Sequence, residues 1–191
     1  MIEPIYNREY FRDRSDELKN QHVKDIVDLI NYFKTRFNLE LHIHYGTLLG
    51  AVREHDFIPH DKDIDLVYIS KYQDALQVRK EILEIEECLI SDKMLVKTFN
   101  HRGQMHVRVP NGSLVVDVFT SWFENNKYYL IPFGDLCSED VIYPFKLSLL
   151  RNLYLEVPNQ SEILLDILYK DWKNPITKEN NYLKRPKRRI I

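Results

Sequence analysis

The sequence predicts an α/β (α+β) domain, a mixed sheet flanked by helices, and three observations carry that prediction. Two stretches, residues 15–37 and 71–90, place apolar side chains at helical spacing. Short runs at 41–45, 94–99, 105–109 and 114–119 are rich in β-branched and aromatic residues, as strands are. Between the last two runs stands Asn111-Gly112, the strongest short-range hairpin signal, so these should pair antiparallel.

A chain of 191 residues is long enough to bury one core, and we expect a single domain over 1–191. Residues 1–14 read as an extended arm with Tyr6, Tyr10 and Phe11 as packing anchors, and 180–191 as a basic, flexible tail. With 27 basic and 29 acidic side chains the net charge is -2; the chain is not a polycation, so bulk nucleic-acid binding is not indicated and no nucleic-acid partner is expected. Cys88 and Cys137 lie far apart without metal-site spacing, so free thiols are expected. The N-terminus lacks an apolar leader core, and no apolar run approaches the ~18 residues a membrane span needs. A cytoplasmic protein is expected. Lys184, Arg185, Lys187, Arg188 and Arg189 could touch the inner, anionic face of a membrane or simply be solvated.

The elements follow in order. Ser15 is a candidate N-cap with Asp16 and Glu17 in the first turn. In the helix after it, Val23, Ile26, Val27, Leu29, Ile30, Phe33 and Phe37 form the apolar stripe. Residues 41–45 read as a strand on which His42 and His44 alternate with Leu41, Ile43 and Tyr45, facing solvent or bonding locally. In the helix over 71–90, Ala75, Leu76, Val78, Ile82, Leu83 and Ile85 are apolar, and Glu84, Glu86 and Glu87 are solvated. An aromatic-rich strand pair follows the hairpin around a turn at 124–127, then a short strand ending at Val157-Pro158 and a helix over 162–169.

The chemistry concentrates at YGTLLGAVREHDFIPHDKDIDLVY, residues 45–68. Asp63 and Asp65 read as part of a strand, flanked by Ile64, Leu66 and Val67, so both should point to one face. Like charges so placed repel, and hard carboxylate oxygens suit Mg²⁺ or Mn²⁺. Asp61 would be a further ligand or a support. Upstream, Gly46-Thr47 lies between a strand and a helix, where backbone N–H groups can hold phosphate. Arg53 on that helix suits bidentate contact with a diphosphate. Strand, phosphate turn, short helix and acidic strand together open a nucleotidyltransferase-type site.

Asp117 interrupts the apolar run LVVDVF. A lone carboxylate there is costly unless bonded or metal-bound. It is either a capped core residue or a third acid brought beside Asp63 and Asp65 by strand pairing, and it would act as metal ligand or as base. Arg108 shares a strand face with His106; it could hold a phosphate or an acceptor's anion, or it could face solvent at an edge.

GTLLGAVREHDFIPHDKDIDL resembles the signature of the LicD family, whose usual form runs GTLLGAVR and then FIPWDDDID. The match covers Gly46 to Arg53, Phe57-Ile58-Pro59, Asp61, Asp63, Ile64 and Asp65, and departs at His60 and Lys62. A second stretch, with Val157-Pro158, Glu162, Leu165, Tyr169, Trp172 and Pro175, is similar to the family's later signature, with Lys170 where Gly is common. The resemblance covers about residues 20–175. It implies a nucleotidyltransferase-like fold and a metal-dependent phosphotransferase. Such an enzyme moves a phospho-alcohol (phosphocholine, ribitol phosphate or glycerol phosphate) from a CDP-linked donor. The acceptor is a sugar hydroxyl of a cell-surface glycan or its glycolipid precursor, in lipopolysaccharide, capsule or teichoic acid synthesis. Asp63, Asp65 and Asp117 would then be catalytic acids holding Mg²⁺ (or Mn²⁺), with Gly46, Thr47, Arg53 and Arg108 at the phosphates. A nucleotidyltransferase releasing pyrophosphate, or a non-catalytic nucleotide- or glycan-binding domain, stays open as an alternative.

Overall fold

The structure, a computed structural model, describes residues 9–99, 103–112 and 114–174. The expected basic tail lies outside those residues, as do Tyr6 and Pro175. After a 3-10 turn at Phe11–Asp13 the order is α1 (Asp16–Phe37), β1 (Glu40–Ile43), α2 (Tyr45–Arg53), β2 (Asp65–Ile69) and α3 (Ala75–Ser91). There follow β3 (Leu95–Phe99), β4 (Gln104–Arg108), β5 (Val115–Glu124), β6 (Lys127–Leu130) and β7 (Gly134–Ser138). A short α4 (Glu139–Ile142), the hairpin β8 (Lys146–Leu150) and β9 (Leu153–Val157), and α5 (Ser161–Leu168) complete the described chain.

Five strands form the centre of the main sheet in the order β1-β2-β5-β4-β3, and β6 and β7 extend it from the far half of β5. The β2–β5 pair is parallel; the other pairs are antiparallel. The sheet is therefore mixed and flanked by helices, as the sequence predicts. The expected hairpin forms as β4 and β5, with His106 opposite Asp117 and Arg108 opposite Val115. The strand β8 was not expected, because the sequence reads as a single strand there.

Capping sets the first helix: the Ser15 hydroxyl accepts from the Leu18 N–H at 3.2 Å. Its stripe of Val23, Ile26, Leu29 and Phe33 is buried. Phe33 lies 6.2 Å from Tyr68 of β2, which puts α1 on the Tyr68 face of the sheet. On that same face Tyr68 accepts from the Thr120 hydroxyl at 3.1 Å.

Two expectations change here. His42 and His44 are fully buried rather than solvated, because Phe145 and the α2 segment close over their face, with Phe145 at 4.9 Å from His42. Burial pushes the His42 imidazole down to about 3, so it is neutral. In α3 the buried positions are Val78, Glu81, Ile85 and Leu89, while Leu76 and Leu83 lie outside the core. No helix among the described residues is long and apolar enough to cross a membrane.

Candidate active site

The acids are assembled by strand register. Asp65 opens β2 and sits opposite Asp117 of the parallel strand β5. Directly opposed residues project to one face, so both carboxylates leave the sheet on the same side. Asp63 precedes the strand instead of lying on it, as the sequence reading had placed it. Even so, Asp63, Asp65 and Asp117 each offer an oxygen within 4.8 Å of the others, a group able to hold a metal ion. Asp61 stays outside that trio and supports the loop: its Oδ1 accepts from the Lys62 N–H at 2.9 Å. Its carboxyl is pushed up to about 8, chiefly by burial and then by a hydrogen bond with Asp63.

Negative charge is concentrated at this point. Burial first, then Asp63, Asp117 and Asp61, hold the Asp65 carboxyl well above its usual range, against the opposing Gly46 N–H. Burial and Asp63 raise Asp117 to about 7, with Gln104 opposing. Several carboxyls driven toward the neutral form in one place are short of positive charge, and a divalent cation on hard oxygen donors supplies it. The donor set fits Mg²⁺ or Mn²⁺.

The turn before Asp65 is built differently from expectation. Tyr45 takes a left-handed backbone conformation (φ 43°), turning the chain sharply from β1 into α2. Gly46 and Thr47 thus lie in the first turn of α2. The Gly46 N–H donates to Asp65 Oδ2 at 3.1 Å, and the Thr47 hydroxyl accepts from the Asp65 N–H at 2.9 Å. Thr47 is buried. Both residues aim Asp65. A side chain at position 46 would meet Asp61 Oδ2 at 2.4 Å, so the Asp61 carboxylate would have to move.

Arg53 stands at the far end of α2, where its Nη1 donates to the Trp172 carbonyl at 2.9 Å and its Nε to Glu54 at 2.7 Å. It therefore ties α2 to the segment after α5. Trp172 in turn donates its indole N–H to Asp166 of α5 at 2.7 Å. α2 and the segment after α5 thus pack on one another. Tyr169, between them, is buried close enough to Asp65, Asp61 and Asp63 for their charge to raise its phenol further.

Several residues that sequence reasoning did not assign to the site complete it. Gln104 donates to Asp117 Oδ2 at 2.6 Å, and His106 Nε2 lies 3.1 Å from Asp117 Oδ1. Burial, with Lys97 nearby, lowers the His106 imidazole. Arg108 lies two residues beyond His106 and shares its face. The N-terminal segment, expected to be extended, docks under the acidic loop through its 3-10 turn. The Phe11 N–H donates to the Asp61 carbonyl at 2.9 Å, and Arg14 donates to the Lys62 carbonyl at 2.5 Å. Phe11 stacks on Phe57 at 4.3 Å. Only the apolar character of Phe11 hinted at this contact.

Residues 38–160 match the family described as LicD/FKTN/FKRP, nucleotidyltransferase domain. An uncharacterized protein of Rickettsia typhi (strain ATCC VR-144 / Wilmington) is 26% identical over 156 residues, which are 80% of this chain and 45% of that protein. The chain thus spans a little under half the length of this curated relative. The matched stretch runs from the start of β1 to the residue before α5, and so holds all three acids and the strands that carry them. Membership of this family supports a transferase, and the chain belongs to the LicD family.

Proposed function

We propose that this chain is a metal-dependent phosphotransferase that moves a phospho-alcohol from a CDP-linked donor to a sugar hydroxyl of a glycan or glycolipid. One observation carries the reading: carboxylate oxygens of Asp63, Asp65 and Asp117 come within 4.8 Å of one another from two adjacent strands and a loop. Asp63, Asp65 and Asp117 would hold Mg²⁺ or Mn²⁺. Such an ion, when bound, neutralises charge on a diphosphate. Phosphoryl transfer depends on positioning and charge neutralisation more than on covalent chemistry by the protein.

The chain's own residues divide the remaining work. Gly46 and Thr47 aim Asp65, Asp61 steadies Asp63, and Gln104 and His106 orient Asp117. Because both Asp117 oxygens are already engaged by neighbours, we assign it as a metal ligand whose geometry is set, rather than as a freely turning base. Arg108, on the acid-bearing face, is the candidate for the donor's or acceptor's anion.

The family's nucleotidyltransferase domain favours a second reading, transfer of the nucleotide itself with release of pyrophosphate. Products separate the two. The chain is incubated with CDP-choline, CDP-ribitol, CDP-glycerol or CTP, with Mg²⁺ and a candidate glycan acceptor. Mg²⁺-dependent release of CMP with a phosphodiester-linked product supports the phosphotransferase. Pyrophosphate from CTP moves the assignment to a nucleotidyltransferase. No turnover, together with no Mg²⁺-dependent thermal shift, leaves a binding domain.

A further inference from the structure

The outer face of α3 carries an apolar stripe that the core does not use. Leu76, Leu83 and Ile90 are 73%, 48% and 62% exposed, and no described residue covers them. They recur every seven residues, close to two full turns, so they line one side of the helix. Val78, Glu81, Ile85 and Leu89 face the other way, into the fold. Isolated surface leucines are ordinary, but a stripe at heptad spacing is the seam that a second helix packs against.

The charges beside the stripe identify the partner. Arg79 and Lys80 lie between Leu76 and Leu83, and Glu87 lies between Leu83 and Ile90, all three exposed, whereas Glu86 is turned to Thr98 of β3 with its Oε1 buried. Laid antiparallel on a second copy of itself, α3 sets Leu83 against Leu83 on a two-fold axis and Leu76 against Ile90. Lys80 then faces Glu87 of the second copy, a pair that the two-fold axis repeats. A parallel arrangement would instead bring Lys80 beside Arg79 of the second copy. We propose that α3 is a homodimer interface, formed by antiparallel pairing of the Leu76, Leu83 and Ile90 stripes about Leu83. Such a contact is isologous, as two-fold dimers require. It lies behind the sheet: α3 stands near Tyr68, whose phenol feels Glu81 and Glu86, and Tyr68 points away from the face of Asp65 and Asp117. The inference does not depend on how the acids are read.

One helix pair about 25 Å long buries less than the roughly 800 Å² per partner of a standard interface. The 191-residue chain should therefore dimerise weakly and reversibly, which sedimentation equilibrium reads by dilution from the highest concentration the protein reaches in solution. Leu83→Lys should leave a folded monomer throughout. Lys80→Glu should weaken the dimer at least tenfold, and adding Glu87→Lys should restore it. In a Cys88→Ser, Cys137→Ser background, Leu83→Cys should cross-link to itself on mild oxidation. Leu76→Cys should cross-link only when mixed with Ile90→Cys. A wild-type monomer at the highest concentration overturns the proposal. So does a dimer indifferent to both the charge reversal and its rescue, or self-cross-linking of Leu76→Cys in place of Leu83→Cys.

Discussion

Asp65 and Asp117 lie opposite each other in parallel strands, yet the protein holds them in different ways. Asp65 is held from within its own stretch of chain. The Gly46 N–H takes one of its oxygens, Thr47 takes its backbone N–H, and the docked Phe11 and Arg14 brace the loop that leads to it. Asp117 is held by a neighbouring strand, through Gln104 and His106 of β4. The first anchorage is backbone and buried hydroxyl, inseparable from the fold of α2. The second is two side chains of the adjacent strand, which can be altered without disturbing the chain path. Function and stability should therefore separate at Asp117 and stay linked around Asp65.

The largest expected effect tests whether the two acids are equal partners. Asp65→Asn and Asp117→Asn should each lower transfer at least a hundredfold, about 2.7 kcal/mol of barrier, while circular dichroism stays native. A normally active Asp65→Asn protein would sink the proposed function. Next comes the anchorage of Asp65. Thr47→Val leaves the buried Asp65 N–H without its acceptor and should destabilise the fold by about 1–3 kcal/mol, read by denaturant unfolding, along with loss of turnover. At Asp117 the balance should reverse. Gln104→Met should cost about tenfold in rate, about 1.4 kcal/mol of barrier, with the unfolding midpoint nearly unmoved. If Gln104→Met destabilises as much as Thr47→Val, the two anchorages are not distinct.

The smallest effect is a dependence on pH. An Asp117 carboxyl raised to about 7 keeps its proton when folded, whereas the unfolded chain releases it near the ordinary 3.8. The metal-free protein therefore loses this contribution to stability as pH rises between those values. Asp117→Asn removes it, so the variant's melting temperature should gain on the wild type from about pH 4 to pH 7. Mg²⁺ at neutral pH should raise the wild type and leave Asp117→Asn much less affected. Parallel pH profiles for the two proteins would show that Asp117 does not titrate in this range.

The same division governs what could be read from the residues. The 45–68 stretch displays its acids, its glycine and its short helix contiguously, and local spacing suffices to recognise them. The hairpin around Asn111-Gly112 was equally visible, and it carries Asp117 into the sheet. The hydrogen bonds of Gly46, Thr47 and Arg53 were not visible, because each is decided by what stands opposite: an aspartate nineteen residues later in one case, a carbonyl of Trp172 in another. His42 and His44 alternate as solvent-facing residues do, and only the covering by Phe145 and α2 buries them. Likewise Leu76 and Leu83 fit a helix stripe, but the stripe that packs inward is the one through Val78, Ile85 and Leu89.

Taken alone, the sequence determined a mixed α/β fold, the acidic strand entry, the buried acid at 117 and the kinship with one transferase family. These follow from periodicity, turn chemistry and contiguous spacing, all properties of short range along the chain. The tertiary structure decided the pairing of Asp65 with Asp117 and the closing of α2 on the segment after α5. It also decided the anchoring of Asp117 by Gln104 and His106, and which side of α3 is left to solvent. Those depend on strand register and on which faces meet, and such contacts join residues whose separation in sequence carries no local signal.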